Sequence, residues 1–302
     1  MTQTPLFSHH CRSWRDNLYV YPVISRRSRG LSIGVNLNPD KVCNFDCVYC
    51  CVDRTVAPTT GTALRTAPRT VDLAILLAEL DHMLSLASSG EIFTRPPFDQ
   101  TPPDLRRLND IAFSGDGEPT SFPGFPAACE LATSALARAG LAETKIVVIT
   151  NATLLTRPTV AAALAHLHLH NGEIWAKLDA GTDPYYRLVE RTTIPLDRVL
   201  HNILATGRNL PLCIQSLFMR LHNIGPPPAE IDAYLGRISD LLAGGCQIKS
   251  VQIYTVARRP AEDFVSPLPA PELDDIALRV RNLGLMTESF HGSDQPRSST
   301  LR

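Results

Sequence analysis

The feature that most constrains this chain is a rhythm in which short apolar, β-branched runs alternate with longer stretches of helical periodicity. Runs that read as strands begin near Leu31 (LSIGVNL), Asp110 (DIAFS), Lys145 (KIVVIT), Glu173 (EIWAKLD), Leu212 (LCIQSL) and Ser250 (SVQIYT). Helical patterns lie at Val71 to Ala87, Phe125 to Ala139, Thr156 to His168, Leu196 to Arg208, Ala229 to Leu242 and Pro271 to Leu283. Parallel neighbours need a long crossover, and a helix supplies it, so the alternation predicts parallel βα units. Six units predict an α/β fold, a partial (β/α)6 TIM-like barrel of parallel strands. Active residues should then lie at the C-terminal strand ends. Thr156 is expected to cap the third helix ahead of Pro158, Gly140 to close the second, and Pro271 and Gly284 to bracket the last.

The first two strand starts are 79 positions apart, against 28 to 39 between the later ones. The first unit is therefore enlarged, by Asp53 to Arg69 and Ser88 to Asn109, both read as polar, Pro-rich surface loops. The expected organisation is an N-terminal extension at 1–30, a core barrel at 31–291 with an enlarged insertion at 53–109, and a flexible tail at 292–302. With 302 residues, 44% apolar and 20% charged, the chain can bury a sizeable core, which excludes a disordered or small stapled protein. No apolar run is long enough to span a membrane, and Met1 to Trp14 lacks the apolar centre of a signal peptide. A cytoplasmic protein without a membrane partner is expected. Only Lys41, Lys145, Lys177 and Lys249 among 29 basic residues are lysines, and the formal net charge is -1, so no broad basic footprint for nucleic acid is expected.

Eight cysteines in such a chain do not suggest a disulfide framework. Three of them, in Cys43-Asn-Phe-Asp-Cys47-Val-Tyr-Cys50, fall within eight residues directly after the first strand. Thiols so closely spaced suit a metal. Zinc usually takes a second ligand pair with its own spacing, and none follows. A [4Fe–4S] cluster prefers four thiolates, so three would leave one iron open to a non-protein ligand. Further polar groups gather at the other strand ends: Gly115-Asp116-Gly117-Glu118-Pro119 after the second, Thr150-Asn151 after the third, Lys177 and Asp179 at the fourth, Gln215 in the fifth. Strand alternation puts Trp175, Lys177 and Asp179 on one face. A buried lysine and carboxylate there either pair with each other or meet a ligand. Gln215, Ser216, Gln252 and Tyr254 would line a substrate cavity. His222 reads as a loop histidine, and His9, His10, His166, His168 and His170 show no ligand spacing.

The cysteine segment resembles the radical S-adenosylmethionine (SAM) superfamily, whose hallmark is this three-then-two spacing with an aromatic, here Tyr49, before the third cysteine. The resemblance implies that Cys43, Cys47 and Cys50 hold a [4Fe–4S] cluster whose open iron chelates SAM. Reduction would then cleave SAM to methionine and a 5′-deoxyadenosyl radical that abstracts hydrogen from a substrate. It further implies SAM contacts at Tyr49, Gly115, Asp116, Gly117, Glu118, Pro119, Asn151, Lys177, Asp179 and Gln215, and an external one-electron reductant of flavodoxin or ferredoxin type. With Asn38-Pro39 leading into the cysteines, and with the Gly-Glu-Pro-Thr, Thr-Asn and Leu-Asp-Ala turns, the pattern is most similar to the group that includes wyosine-type tRNA synthases, over about Leu31 to Pro260. The lack of an N-terminal cysteine set and of a basic excess counts against tRNA as substrate, which the sequence leaves open. The alternatives are a non-catalytic binding or electron-transfer protein stabilised by zinc or an iron–sulfur cluster. A single cluster is expected, since Cys129, Cys213 and Cys246 should lie outside or beneath the barrel and Cys11 and Cys51 are too few for a second.

Overall fold

The structure, a computed structural model, describes residues 14–54, 59–60, 65–66 and 70–292. Its main sheet has eight strands: β1 (Val20–Ser25), β2 (Gly30–Val35), β5 (Leu108–Phe113), β6 (Lys145–Thr150), β7 (Gly172–Lys177), β8 (Leu212–Leu217), β10 (Ile248–Tyr254) and β12 (Thr287–Phe290), adjacent in that order. Two short two-stranded antiparallel sheets lie outside it, β3 (Thr59–Thr60) with β4 (Arg65–Thr66), and β9 (Met219–Leu221) with β11 (Val265–Pro267). The helices are α1 (Leu73–Ser88), α2 (Phe125–Arg138), α3 (Pro158–His168), α4 (Asp183–Glu190), α5 (Leu196–Gly207), α6 (Pro228–Ala243) and α7 (Ala270–Arg281). Within the main sheet, every pairing from β2 to β12 is parallel and neighbours follow chain order. Right-handed crossovers in an unbroken strand order put all helices on one face, which curls the sheet into a partial barrel. All six expected strands are present.

Alternation sorts the side chains. Ile111, Phe113, Ile146, Val148, Ile174, Ala176, Ile214 and Ile253 join the large core under the helices, whereas Ala112, Val147, Trp175 and Cys213 form a small cluster on the opposite, inner face. Burying the outer set stabilises the barrel by roughly 1.5–3 kcal/mol per large side chain.

Several expectations need correction. The chain adds β1, antiparallel to β2, and β12, parallel to β10. Helix α4 was not anticipated, although its N-cap Thr182 accepts from the Tyr185 N–H just ahead of Pro184. Arg157, not Thr156, is the N-cap of α3; the Thr156 hydroxyl instead donates to Asn202 Oδ1 at 2.9 Å. Ser88 to Asn109 is no simple surface loop, since Ile92, Phe93 and Phe98 are buried and Phe98 meets Trp14 edge-on at 5.7 Å. Gly140 and Gly284 do sit just past α2 and α7 with positive φ. Most of Asp53 to Arg69, and Cys11, His9, His10 and the tail from 293, lie outside the described residues. No described helix is long and apolar enough to cross a membrane.

At the floor of the barrel Glu173 of β7 accepts from Lys145 of β6 at 2.7 Å, Lys249 of β10 at 2.5 Å and Trp175 Nε1 at 3.1 Å. Burial disfavours the Glu173 carboxylate, but these donors outweigh it and hold its pKa down to about 2, below the ordinary 4.5. A carboxyl whose pKa is depressed by folding stabilises the protein above its unfolded pKa and loses that contribution as pH falls toward the folded value. Both lysines are partly exposed, which screens the pair. Glu173→Gln should therefore cost about 1–3 kcal/mol at neutral pH. In thermal melts the gap from wild type should shrink as pH falls from about 4.5 toward 2; a gap independent of pH would show that the loss is one of packing.

Candidate active site

The cysteine loop leaves β2 through Asn36, whose Oδ1 accepts from the backbone N–H of Asn38 at 3.0 Å and of Asp116 at 3.1 Å, while its Nδ2 donates to Asp116 Oδ2 at 2.7 Å. That links the loop to the glycine turn after β5. The turn is packed directly against it: a Cβ on Gly115 would lie 2.3 Å from Asn36 Oδ1, and one on Gly117 would lie 2.2 Å from the Val42 carbonyl. Neither position has room for a side chain.

Glu118 is buried, and four donors are aimed at its carboxylate: Thr120 N–H and hydroxyl, the Thr150 hydroxyl at 2.7 Å and the Asn151 N–H at 2.7 Å. Burial pushes its pKa up and the donors oppose the rise. The side chain thus ties the β5 turn to the β6 turn, and Pro119 follows it buried. Asn151 in turn donates to Asn44 Oδ1 at 2.6 Å, and Asn44 donates to Thr153 at 2.7 Å. Asn151 is therefore bound to the cysteine loop rather than merely capping a helix.

A second buried network holds the other side. Lys177 Nζ stands 2.9 Å from Asp179 Oδ2 and donates to the Tyr254 hydroxyl at 2.7 Å. The Tyr49 hydroxyl donates to Asp179 Oδ2 at 2.6 Å, and the Leu217 N–H donates to Asp179 Oδ1 at 2.6 Å. Burial works against the Lys177 ammonium, yet Asp179, Tyr254 and Glu190 outweigh it and hold its pKa above the ordinary lysine value. Lys177 and Asp179 do pair with each other, one of the two outcomes that their shared strand face leaves open. An ammonium carries three N–H donors, and these contacts use two. Next to Lys177 in the sheet, fully buried Gln215 donates to Gln252 at 2.6 Å while its own Oε1 has no partner among the described residues.

Cys43, Cys47 and Cys50 are free thiols in one irregular segment. Arg54 Nη1 lies 3.4 Å from Cys50 Sγ, and the same guanidinium acts on Cys43. Burial raises the Cys43 pKa. Cys47 turns inward, its Sγ 2.6 Å from Glu190 Oε2. Burial, reinforced by Glu190, pushes its thiol well above the ordinary range; burial and then Asp179 do the same to the Glu190 carboxyl. Among the described residues no three Cys, His, Asp or Glu side chains already converge on a metal-sized point. The donor set nonetheless fits an iron–sulfur group: soft sulfur ligands from one short loop, with Cys43 lining an open cavity of about 430 Å³ that Arg54 and Arg191 also border. The unpartnered Gln215 carbonyl fits a ligand donor. Cys51 is exposed, and Cys129, Cys213 and Cys246 are buried elsewhere, in α2, at the start of β8 and ahead of β10.

Two residues of this region went unread in the sequence. Asn44 lies inside the cysteine motif, where an asparagine between cysteines carries no signal of its own. Glu190 ends α4, held in place as its carbonyl and that of Val189 accept from Asp46 and Val48 of the cysteine loop at 3.1 and 2.9 Å.

No protein-family model matches the chain. A radical SAM methyltransferase from Sphaerobacter thermophilus superposes with a TM-score of 0.59 at 13% identity, over 91% of this chain and 70% of that one. TYW1 with a lysine-pyruvate adduct bound gives a TM-score of 0.49 at 13% identity, over 92% and 79%. A UPF0026 protein of Methanocaldococcus jannaschii is 24% identical over 249 residues, 82% of this chain; the chain spans about 65% of that relative's length. The chain shares its fold, a partial barrel of mostly parallel strands, with that radical SAM methyltransferase. Within it, the cysteine loop follows β2, the first strand of the parallel run, and the glycine turn follows β5 beside it.

Proposed function

We propose that this chain is a radical SAM enzyme in which Cys43, Cys47 and Cys50 hold a [4Fe–4S] cluster and the neighbouring strand ends hold SAM. The observation that carries the reading is the meeting, at the C-terminal ends of adjacent parallel strands, of the cysteine loop, the glycine turn, Asn151 and the buried Lys177–Asp179 pair. Cluster and SAM together would supply one electron and a 5′-deoxyadenosyl radical for hydrogen abstraction. The chain's own part is to bind and orient. The backbone of Gly115 to Pro119 offers carbonyls to the SAM ammonium, the remaining Lys177 donor meets its carboxylate, and Asp179 accepts from the ribose. Tyr49 fixes Asp179 for that task, and Gln215 and Asn151 supply further polar contacts. Walls of buried side chains exclude water, which would otherwise quench a radical. The electron would come from a flavodoxin- or ferredoxin-type donor.

Anaerobic reconstitution followed by iron analysis tests this. A single cluster gives about four irons per chain, and near zero once Cys43, Cys47 and Cys50 are all replaced by Ala. A colourless zinc protein would overturn the reading; about eight irons, or a [4Fe–4S] signal in the triple variant, would place a second cluster elsewhere.

A further inference from the structure

Helix α4 seats the cysteine loop through its backbone and its side chains alike. The carbonyls of Val189 and Glu190 accept from Val48 and Asp46, and the Glu190 carboxyl meets Cys47 Sγ at 2.6 Å. Tyr186 lies one turn back from Glu190, and positions four apart share a helix face, so Tyr186 is directed at the same loop. Its ring stands edge-on to Phe45, midway between Cys43 and Cys47, with centroids 6.0 Å apart and the planes at 80°.

Tyr186 is 3% exposed, and its hydroxyl has no hydrogen-bond partner among the described residues. A buried tyrosine hydroxyl ordinarily finds one, because an unmade bond there costs the full desolvation of the group. Packing does not explain the hydroxyl either: phenylalanine would keep the edge-on contact with Phe45 without that cost. The nearby carboxyls are met by other donors, Glu190 by Cys47 and Tyr49, and Asp179 by Tyr49, Lys177 and the Leu217 N–H. The face that Tyr186 addresses is that of a loop carrying three thiols.

We infer that the Tyr186 hydroxyl donates a hydrogen bond to a sulfur of the cluster held by Cys43, Cys47 and Cys50, and so sets how readily that cluster is reduced. The inference rests on the cluster assignment proposed above. An added electron increases the negative charge on the sulfurs, so a donor aimed at one of them favours the reduced state; hydrogen bonds to sulfur are among the levers that fix the potential of such clusters. Tyr186 would tune the electron's arrival without being a ligand.

Potentiometric titration of the reconstituted protein, followed by the electron paramagnetic resonance (EPR) signal of the reduced cluster, tests this. Tyr186→Phe should take up as much iron as wild type, since the ring contact with Phe45 is kept. Its reduction equilibrium should shift about three- to tenfold toward the oxidised form, a potential about 30–60 mV more negative at about 59 mV per tenfold for one electron. Tyr185→Phe, about 100° round the helix, should keep the wild-type potential. Pulsed EPR after exchange into heavy water gives a direct signature, an exchangeable proton coupled to the cluster in wild type and missing from Tyr186→Phe. An unchanged potential in Tyr186→Phe, an equal shift in Tyr185→Phe or survival of that coupling would overturn the inference alone. Loss of iron from Tyr186→Phe would overturn it too, by making the hydroxyl a requirement of assembly. A wild-type protein that takes up no iron would overturn the cluster assignment and this inference together, so the two failures are distinguishable.

Discussion

Cys47→Ala should abolish reductive cleavage of SAM, lowering 5′-deoxyadenosine formation by more than about a hundredfold. Changes beyond the direct ligands of a metal typically cost ten- to a hundredfold, and removing a ligand itself costs more. Cys47 is the most telling of the three because its sulfur contacts a buried carboxyl, that of Glu190. If the thiol served only as a buried donor to that carboxyl, Ala would cost stability and leave the chemistry alone. Exposed Cys51, adjacent to the motif, provides the comparison: Cys51→Ala should retain full product. The assay is anaerobic, with dithionite, SAM and chromatographic detection of the nucleoside. Product from Cys47→Ala equal to wild type would refute the assignment.

Lys177→Met and Asp179→Asn should each weaken SAM binding about ten- to hundredfold, the value of one charge-assisted hydrogen bond. Each single change also leaves a buried charge without its partner, at about 3–5 kcal/mol, so loss of affinity in a failing fold proves little. The double variant separates the two effects, because it removes both charges and should recover part of the lost stability. Equilibrium dialysis with SAM should still show weak binding in that protein. Recovery of affinity along with stability would mean that the pair only holds strands together.

The strands legible in the sequence were those buried on both faces, which demand continuous apolar, β-branched runs. The two unexpected strands of the main sheet sit at its margins, β1 buried almost throughout and β12 buried only at its ends. Strand β1 carries Pro22, tolerated at an edge, and β12 reads Thr-Glu-Ser-Phe with its two middle residues half-exposed. Helix α4 is eight residues long, too short for periodicity to register, and it ends at Arg191 with positive φ instead of at a glycine. At the site, spacing marked the cysteines and alternation marked Lys177 and Asp179, since both patterns are local. The contacts of Glu190 with Cys47 and of Asn44 with Asn151 join residues 143 and 107 positions apart, and no local pattern encodes them.

Strand order that follows chain order also bears on synthesis. A ribosome releases the cysteine loop, the glycine turn, Asn151 and Glu190 before residue 191, so most of the cysteine-loop side is in hand while the last third of the chain is still being made. Each later βα unit can be laid on the margin of the one before it, with short loops to close. The contacts of Arg29 and Arg26 with Glu288 and His291 reach across 259 and 265 positions. Among the described residues they can form only after β12 has been made, so until then the β1 side of the sheet has no partner from that strand.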